Sequence, residues 1–182
     1  MKIKKLITFV VMSTKQKCIF LDRDGVINKD KVDYVYTPEE LFIIDGVPEA
    51  LTAFKNAGYL IVIITNQSGI AKGIYTKQDV MHIHDLIQEA SAFALDDIFM
   101  APYHETYHNS LSRKPGSLMF ERAIAKHNID LAASWMIGDK ERDLIPGKKF
   151  GLQTILVDNK KETPYADFYA DNLLGASKII LK

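Results

Sequence analysis

Cys18-Ile19-Phe20-Leu21-Asp22-Arg23-Asp24-Gly25-Val26-Ile27-Asn28 is the stretch on which the reading of this chain turns. A short apolar run ends at once in two carboxylates, Asp22 and Asp24, and a glycine follows. Such a run marks a strand buried on both faces, as in a parallel sheet. In open α/β sheets, ligands gather outside the carboxyl ends of the strands. Two acids placed there repel each other unless a cation or a shared proton lies between them. The pattern points to a magnesium-assisted reaction with one aspartate as nucleophile. A strand followed by an ordinary Asp-Gly turn gives the same letters, so the rest of the chain has to discriminate.

Working outward, strand and helix patterns alternate. Residues 60–64 are an uninterrupted apolar run, and shorter strand-like segments occupy 98–101, 135–137 and 154–157. Pro48 sits at the first turn of a helix running to about residue 56, with Gly58 as its stop. Thr76 caps a helix predicted over 77–93, with Val80, Ile83, Leu86 and Ile87 at helical spacing. Further helices are predicted over 117–127 and 141–149, and a short strand–helix piece closes the chain. Residues 26–45 form an irregular excursion and 102–116 a long polar loop. Strands joined through helices imply right-handed βαβ crossovers, hence an α/β fold around a parallel sheet.

At 182 residues the chain has the size of one domain with a substantial core. Lys+Arg and Asp+Glu both number 23, so no basic excess advertises nucleic acid or an anionic membrane. The single cysteine, Cys18, excludes an internal disulfide framework and a multi-thiolate zinc site, and its place at a strand start suits core packing. Residues 1–11 begin like a signal peptide, but Lys15 and Lys17 interrupt the apolar run, no small-residue cleavage site follows, and the run is too short to span a bilayer. The expectation is a weakly ordered extension over 1–16, with Met12 a candidate start, before a single domain over 17–182 in a cytoplasmic protein. No long apolar surface stripe is left over, so a monomer is expected.

Four predicted strand ends carry polar groups: Asp22-Arg23-Asp24, then Thr65-Asn66-Gln67-Ser68-Gly69, then Arg113-Lys114-Pro115 in the loop after the third strand, then Gly138-Asp139-Lys140. All belong to one crevice at the carboxyl edge of the sheet. A hydroxyl, an amide, a lysine and three carboxylates together are an inventory for phosphoryl transfer. The carboxylate attacks phosphorus, while magnesium and lysine offset charge on the equatorial oxygens.

These four ordered motifs resemble those of the haloacid-dehalogenase-like (HAD) phosphatases. Asp33-Tyr34-Val35, Pro38-Glu39-Glu40, Gly46-Val47-Pro48-Glu49-Ala50 and Thr65-Asn66-Gln67-Ser68-Gly69-Ile70-Ala71 are similar to the heptose bisphosphate phosphatases, and the histidinol-phosphate phosphatases share much of this. The resemblance covers about residues 17–175. It implies a three-layer Rossmann-like HAD fold with no cap domain and a magnesium-dependent phosphatase acting on a small sugar phosphate. It further implies Asp22 as nucleophile forming an aspartyl-phosphate, and Asp24 as general acid and then base. Magnesium would be held by the carboxylates of Asp22 and Asp139 and the main-chain carbonyl of Asp24. Thr65 and Lys114 would bind the transferring phosphoryl group, with Arg23, Asn66, Gln67, Arg113 and Lys140 binding substrate. For Asp143 three roles stay open: orienting a lysine, orienting a metal-bound water, or favouring the first turn of its helix.

One departure concerns metal. Where many relatives bind a structural zinc through Cys-Pro-His and Cys-x-Cys, this chain has Ala101-Pro102-Tyr103 and Ser110-Leu111-Ser112, so no structural zinc is expected. The same loop holds His104-Glu105-Thr106-Tyr107-His108, the letters of a zinc-protease motif. That chemistry needs both histidines on one helix face, and Pro102 and Asn109 make a poor helical setting. Residues 26–45 are too few for a lid domain and are expected to form a hairpin-like flap with Tyr34, Val35 and Tyr36 near its distal part.

Overall fold

Six parallel strands form the centre of the molecule in the computed structural model, in which residues 14–157 and 162–182 are described. They are β1 (Cys18–Leu21), β2 (Leu60–Asn66), β3 (Asp97–Ala101), β4 (Trp135–Gly138), β5 (Gln153–Val157) and β6 (Phe168–Ala170), in the spatial order β3-β2-β1-β4-β5-β6. Five α-helices connect or follow them: α1 (Val47–Asn56), α2 (Lys77–Ala90), α3 (Leu118–His127), α4 (Glu141–Lys149) and α5 (Leu173–Ile180).

The two-residue period of a strand divides the core into two layers of side chains. Ile19, Leu21, Ile61, Ile63, Ile137 and Ile155 face one way and pack on Leu51 and Phe54 of α1, Ile83 and Ile87 of α2, and Leu173 of α5. Cys18, Phe20, Val62, Ile64, Met136 and Leu156 face the other way, onto Met119, Phe120 and Ala123 of α3 and Leu144 of α4. The three-layer α/β architecture expected from the sequence is therefore the one observed. The chain leaves β1 toward β2 and β3, then returns to β1's other side with β4. This reversal opens a crevice between the ends of β1 and β4.

Three local expectations change. Helix α2 stops at Ala90 rather than at residue 93, because Ala92 and Phe93 turn left-handed at φ 50° and 57°. Gln88 then satisfies the loop, its amide donating to the Leu95 carbonyl and accepting from the Leu95 N–H. The flap is a hairpin only at its base, where Ile44 N–H donates to Ile27 O and Lys29 N–H to Phe42 O, both at 2.9 Å. Beyond that base it folds back. The Val35 carbonyl accepts from Arg23 Nη2 at 3.0 Å and Tyr36 stacks on Tyr75, so the segment packs back on the domain, with Tyr34 and Val35 lining the crevice, instead of standing at a distal tip.

Most of the expected N-terminal extension lies outside the described residues. Gln16 is tied to the 128–130 turn through its main-chain N–H and carbonyl. Among the described residues, no helix is long and apolar enough to cross a membrane.

Candidate active site

Two glycines let the exits of β1 and β4 approach each other. Gly25 holds φ +84°, and a Cβ there would lie 2.6 Å from Asp139 Oδ2. A Cβ on Gly138 would lie 2.4 Å from the Asp143 Cβ. Asp22, Asp139 and Asp143 thereby bring one carboxylate oxygen each to within 4.8 Å of one another.

Lys114 enters this acidic cluster from the loop before α3. Its Nζ lies 2.9 Å from Asp22 Oδ1 and 2.8 Å from Asp143 Oδ1, and donates to the Ile64 carbonyl at 2.6 Å. The lysine side chain is fully buried. Burial works to lower its pKa, but Asp143 and Asp22 hold it above the ordinary value, so the ammonium stays charged. Of the roles open to Asp143, orienting a lysine is the contact the structure makes. Its other oxygen accepts from the Lys140 N–H at the start of α4, so it also caps that helix.

One lysine does not neutralise three acids. Burial, with the charge of Asp143 behind it and Lys114 opposing, pushes Asp22 up to about 7. Burial and the charge of Asp22 raise Asp139 as well, against Lys140. Three crowded carboxylates that resist joint ionisation are a donor set suited to a hard divalent cation. Magnesium fits these residues on that ground.

Asp24 is arranged differently. Arg23 places Nη2 2.8 Å from its Oδ1 and Nε 3.1 Å from its Oδ2. Asn28 and Gln67 add amide donors at 2.9 Å and 3.1 Å. Burial alone would raise its pKa, but the Arg23 charge and these donors hold it below the usual carboxylate range. Behind this fork stands His84 of α2, whose buried Nε2 has no hydrogen-bond partner. Burial, then the Arg23 charge, depresses that imidazole to about 3, and it is neutral.

The other residues singled out from the sequence all come to this edge. Thr65, fully buried at the end of β2, accepts from Gln67 Nε2 through its hydroxyl at 2.9 Å. Gln67 also accepts from the Tyr75 hydroxyl. Asn66 spends both ends of its amide on the Lys114 main chain. Arg113 donates to the exposed Glu105 and to the Tyr103 carbonyl. Lys140 bridges Asp30 of the flap and Asp139, at 2.6 Å and 3.0 Å. Asp22, Asp24, Asn66, Gln67, Arg113 and His104 line a cleft of about 290 Å³, into which Tyr34, Lys72 and Arg142 also face.

Four contributors were not legible as site residues: Asn28, Asp30, Tyr75 and Arg142. Asp30 acts through Lys140, 110 residues away, Asn28 through its amide bond to Asp24, and Tyr75 through the Gln67 side chain, contacts that no motif announces. Arg142 did carry a signal, being a cation in the first turn of a helix, where the dipole disfavours it. Segment 104–108 makes a turn rather than a helix, and His104 Nδ1 accepts from the Thr106 N–H. The protease-like letters therefore lack the helical face that the motif needs.

Comparison with known proteins agrees with this geometry. The chain is 43% identical over 155 residues to the D-glycero-D-manno-heptose-1,7-bisphosphate 7-phosphatase of Chlorobaculum tepidum, covering 78% of each chain. It belongs to the HAD-like phosphatases. The model of the HAD-hydrolase-like family matches residues 111–174 of this HAD phosphatase. It is also 38% identical over 168 residues to a D-glycero-beta-D-manno-heptose-1,7-bisphosphate 7-phosphatase of Helicobacter pylori, covering 89% of this chain and 95% of that one. Its fold matches the crystal structure of D,D-heptose 1,7-bisphosphate phosphatase from B. bronchiseptica complexed with magnesium and phosphate, with a TM-score of 0.84 at 29% identity, over 91% of this chain and 98% of that one.

Proposed function

We propose that this phosphatase is a magnesium-dependent phosphomonoester hydrolase that removes the 7-phosphate of D-glycero-D-manno-heptose 1,7-bisphosphate through an aspartyl-phosphate on Asp22. The observation that carries the chemistry is Lys114 Nζ fixed between Asp22 and Asp143 beside Asp139. The substrate rests on the relatives, which are heptose-1,7-bisphosphate 7-phosphatases.

In this reading Asp22 is fixed through Oδ1, which accepts from the Arg23 N–H at 2.7 Å, and its carboxylate attacks phosphorus. The bond from phosphorus to the sugar oxygen breaks, and that oxygen takes a proton from Asp24. Asp24 then removes a proton from water, which attacks the phosphoryl group and releases Asp22. The Arg23 fork suits the second half, because it favours the ionised base. The first half requires a protonated Asp24, which must exchange the fork for the sugar oxygen. Lys114 and the Thr65 hydroxyl stand ready for the transferring oxygens. Asp22, Asp139 and the Asp24 carbonyl would hold magnesium, whose charge would stabilise the phosphoryl oxygens. Arg113 and Lys140 would meet the rest of the substrate, with Asn66, Gln67 and Arg23 holding the groups around it.

The loop over 101–112 is proposed to do without structural zinc. Ser110 and Ser112 share a hydrogen bond at 2.8 Å, and Ala101 is buried in the core. Metal analysis should find no stoichiometric zinc. A cytoplasmic monomer built as one domain over 17–182, acting on a small molecule rather than nucleic acid or membrane, completes the proposal; the even charge balance supports the last part, the choice of partner.

Phosphate release with magnesium from heptose bisphosphate, histidinol phosphate and a generic ester tests the reading. Heptose bisphosphate should have the highest kcat/KM, and Asp22→Asn should lose turnover. An Asp22→Asn variant as fast as the parent rejects the mechanism. A large preference for histidinol phosphate rejects the substrate alone.

A further inference from the structure

Most of the positive charge around the catalytic cleft is already spoken for. Arg23 is matched to Asp24, Lys31 to Glu40 and Arg113 to Glu105. Among the cations lining the cleft, only Lys72 and Arg142 have no carboxylate within ion-pair distance among the described residues. Lys72 is engaged otherwise, by the Tyr34 phenol and over its ring at 5.5 Å.

Arg142 is the anomaly. Its Nε is buried without a hydrogen-bond partner, and leaving a charged donor so placed is costly. It occupies the first turn of α4, where the helix dipole opposes a cation. Nearby, Arg113 and Lys114 add positive charge. Arg142 also stands, with Arg113, where two spaces meet. One is the catalytic cleft; the other is a cavity of about 500 Å³ walled by His108, Asn109, Leu111 and Pro115. A guanidinium without an acid, facing open space beside the nucleophile, is arranged to receive an anion from outside.

We propose that Arg142 binds a second phosphoryl group of the substrate, distal to the one transferred, at the junction of the cleft and this cavity, and so selects bisphosphates over monophosphates. The inference rests on the sugar-phosphate reading and sharpens it by naming the residue that discriminates. The substrate then lies with its distal end toward the 105–116 loop rather than beneath the flap.

Kinetics with magnesium on heptose 1,7-bisphosphate and on the 7-phosphate, which keeps the scissile group and lacks the distal one, test this. The ratio of the two kcat/KM values should fall about tenfold or more in Arg142→Gln, chiefly through KM. Arg142→Lys should restore part of it, and Lys72→Gln should lower it less. An unchanged ratio in Arg142→Gln, or a larger fall in Lys72→Gln, overturns the proposal. Calorimetric titration of both compounds into Asp22→Asn, with and without Arg142→Gln, reads affinity without turnover. If the parent releases no phosphate the reaction fails, while a tighter grip on the bisphosphate that Arg142→Gln abolishes still upholds Arg142. Equal affinity of Asp22→Asn for the two compounds, or none for either, overturns it.

Discussion

Asn66 holds Lys114 by its main chain. The Asn66 Oδ1 accepts from the Lys114 N–H at 2.9 Å, while its Nδ2 donates to the Lys114 carbonyl at 3.1 Å. A side chain at the end of β2 thus fixes the loop that delivers the buried ammonium. Asn66→Ala removes both bonds and costs about 1–3 kcal/mol of stability. Small displacements near the reacting centre are expensive, so kcat should fall about 100-fold with a smaller change in KM. A variant with unaltered kcat and a raised KM would instead make Asn66 a plain substrate contact.

The carboxylate of Asp22 gives the metal-free protein an unusual pH dependence. Its pKa is raised by burial and by Asp143 to about 7, above the value near 4 it has when unfolded. Between these values the folded state binds the extra proton, so stability falls as pH rises through the window. The full cost is on the order of 2–4 kcal/mol above neutrality. Asp22→Asn should therefore be no less stable than the parent at pH 4 and clearly more stable at pH 8 in chelator. Urea midpoints for both proteins at the two pH values measure this, and parallel curves would defeat it. Magnesium should shift the parent upward more at pH 8 than at pH 5.

The framework and the four strand ends were readable because their signals are local. A short, β-branched apolar run such as 61–64 reads as a buried strand by its length and branching, and Thr76 spells a helix start that the structure realises, its hydroxyl accepting from the Asp79 N–H. What was unreadable depends on pairs distant in sequence. That Arg23 would turn inward to hold both Asp24 and the Val35 carbonyl follows from how the flap closes, not from its letters. Flap length ruled out a lid domain, yet its fold-back sets Tyr36 on Tyr75, thirty-nine residues away. The end of α2 was missed because two left-handed residues, Ala92 and Phe93, carry no glycine to announce the turn.

His84 should set part of the acid limit of this fold. Its imidazole is depressed to about 3, first by burial and then by Arg23, below the unfolded value near 6.5. Here the unfolded state takes up the proton first, so stability is lost as pH falls from about 6.5 toward 3. At pH 4 the loss amounts to about 3 kcal/mol. His84→Leu should flatten this limb, being more stable than the parent at pH 4 by about that amount relative to the difference at pH 7.5. Denaturant unfolding at the two pH values decides it, and equal acid sensitivity in both proteins would count against the buried neutral imidazole.

Gly25 is where backbone and metal site meet. With φ at +84° and 2.6 Å between a built Cβ and Asp139 Oδ2, alanine there is strained twice. The left-handed backbone costs about 1–2 kcal/mol, and the methyl group must displace a carboxylate assigned to magnesium. Stability should drop modestly, whereas the magnesium concentration giving half-maximal activity should rise about tenfold or more. The second effect separates this clash from mere strain, because a backbone penalty alone lowers the melting temperature without moving the metal titration. Gly73 is the control: its φ is +69° and a Cβ there meets nothing within 4 Å. Gly73→Ala should share the stability loss and leave the magnesium requirement where it is. If both variants shift the titration equally, Gly25 does not hold the space that Asp139 needs.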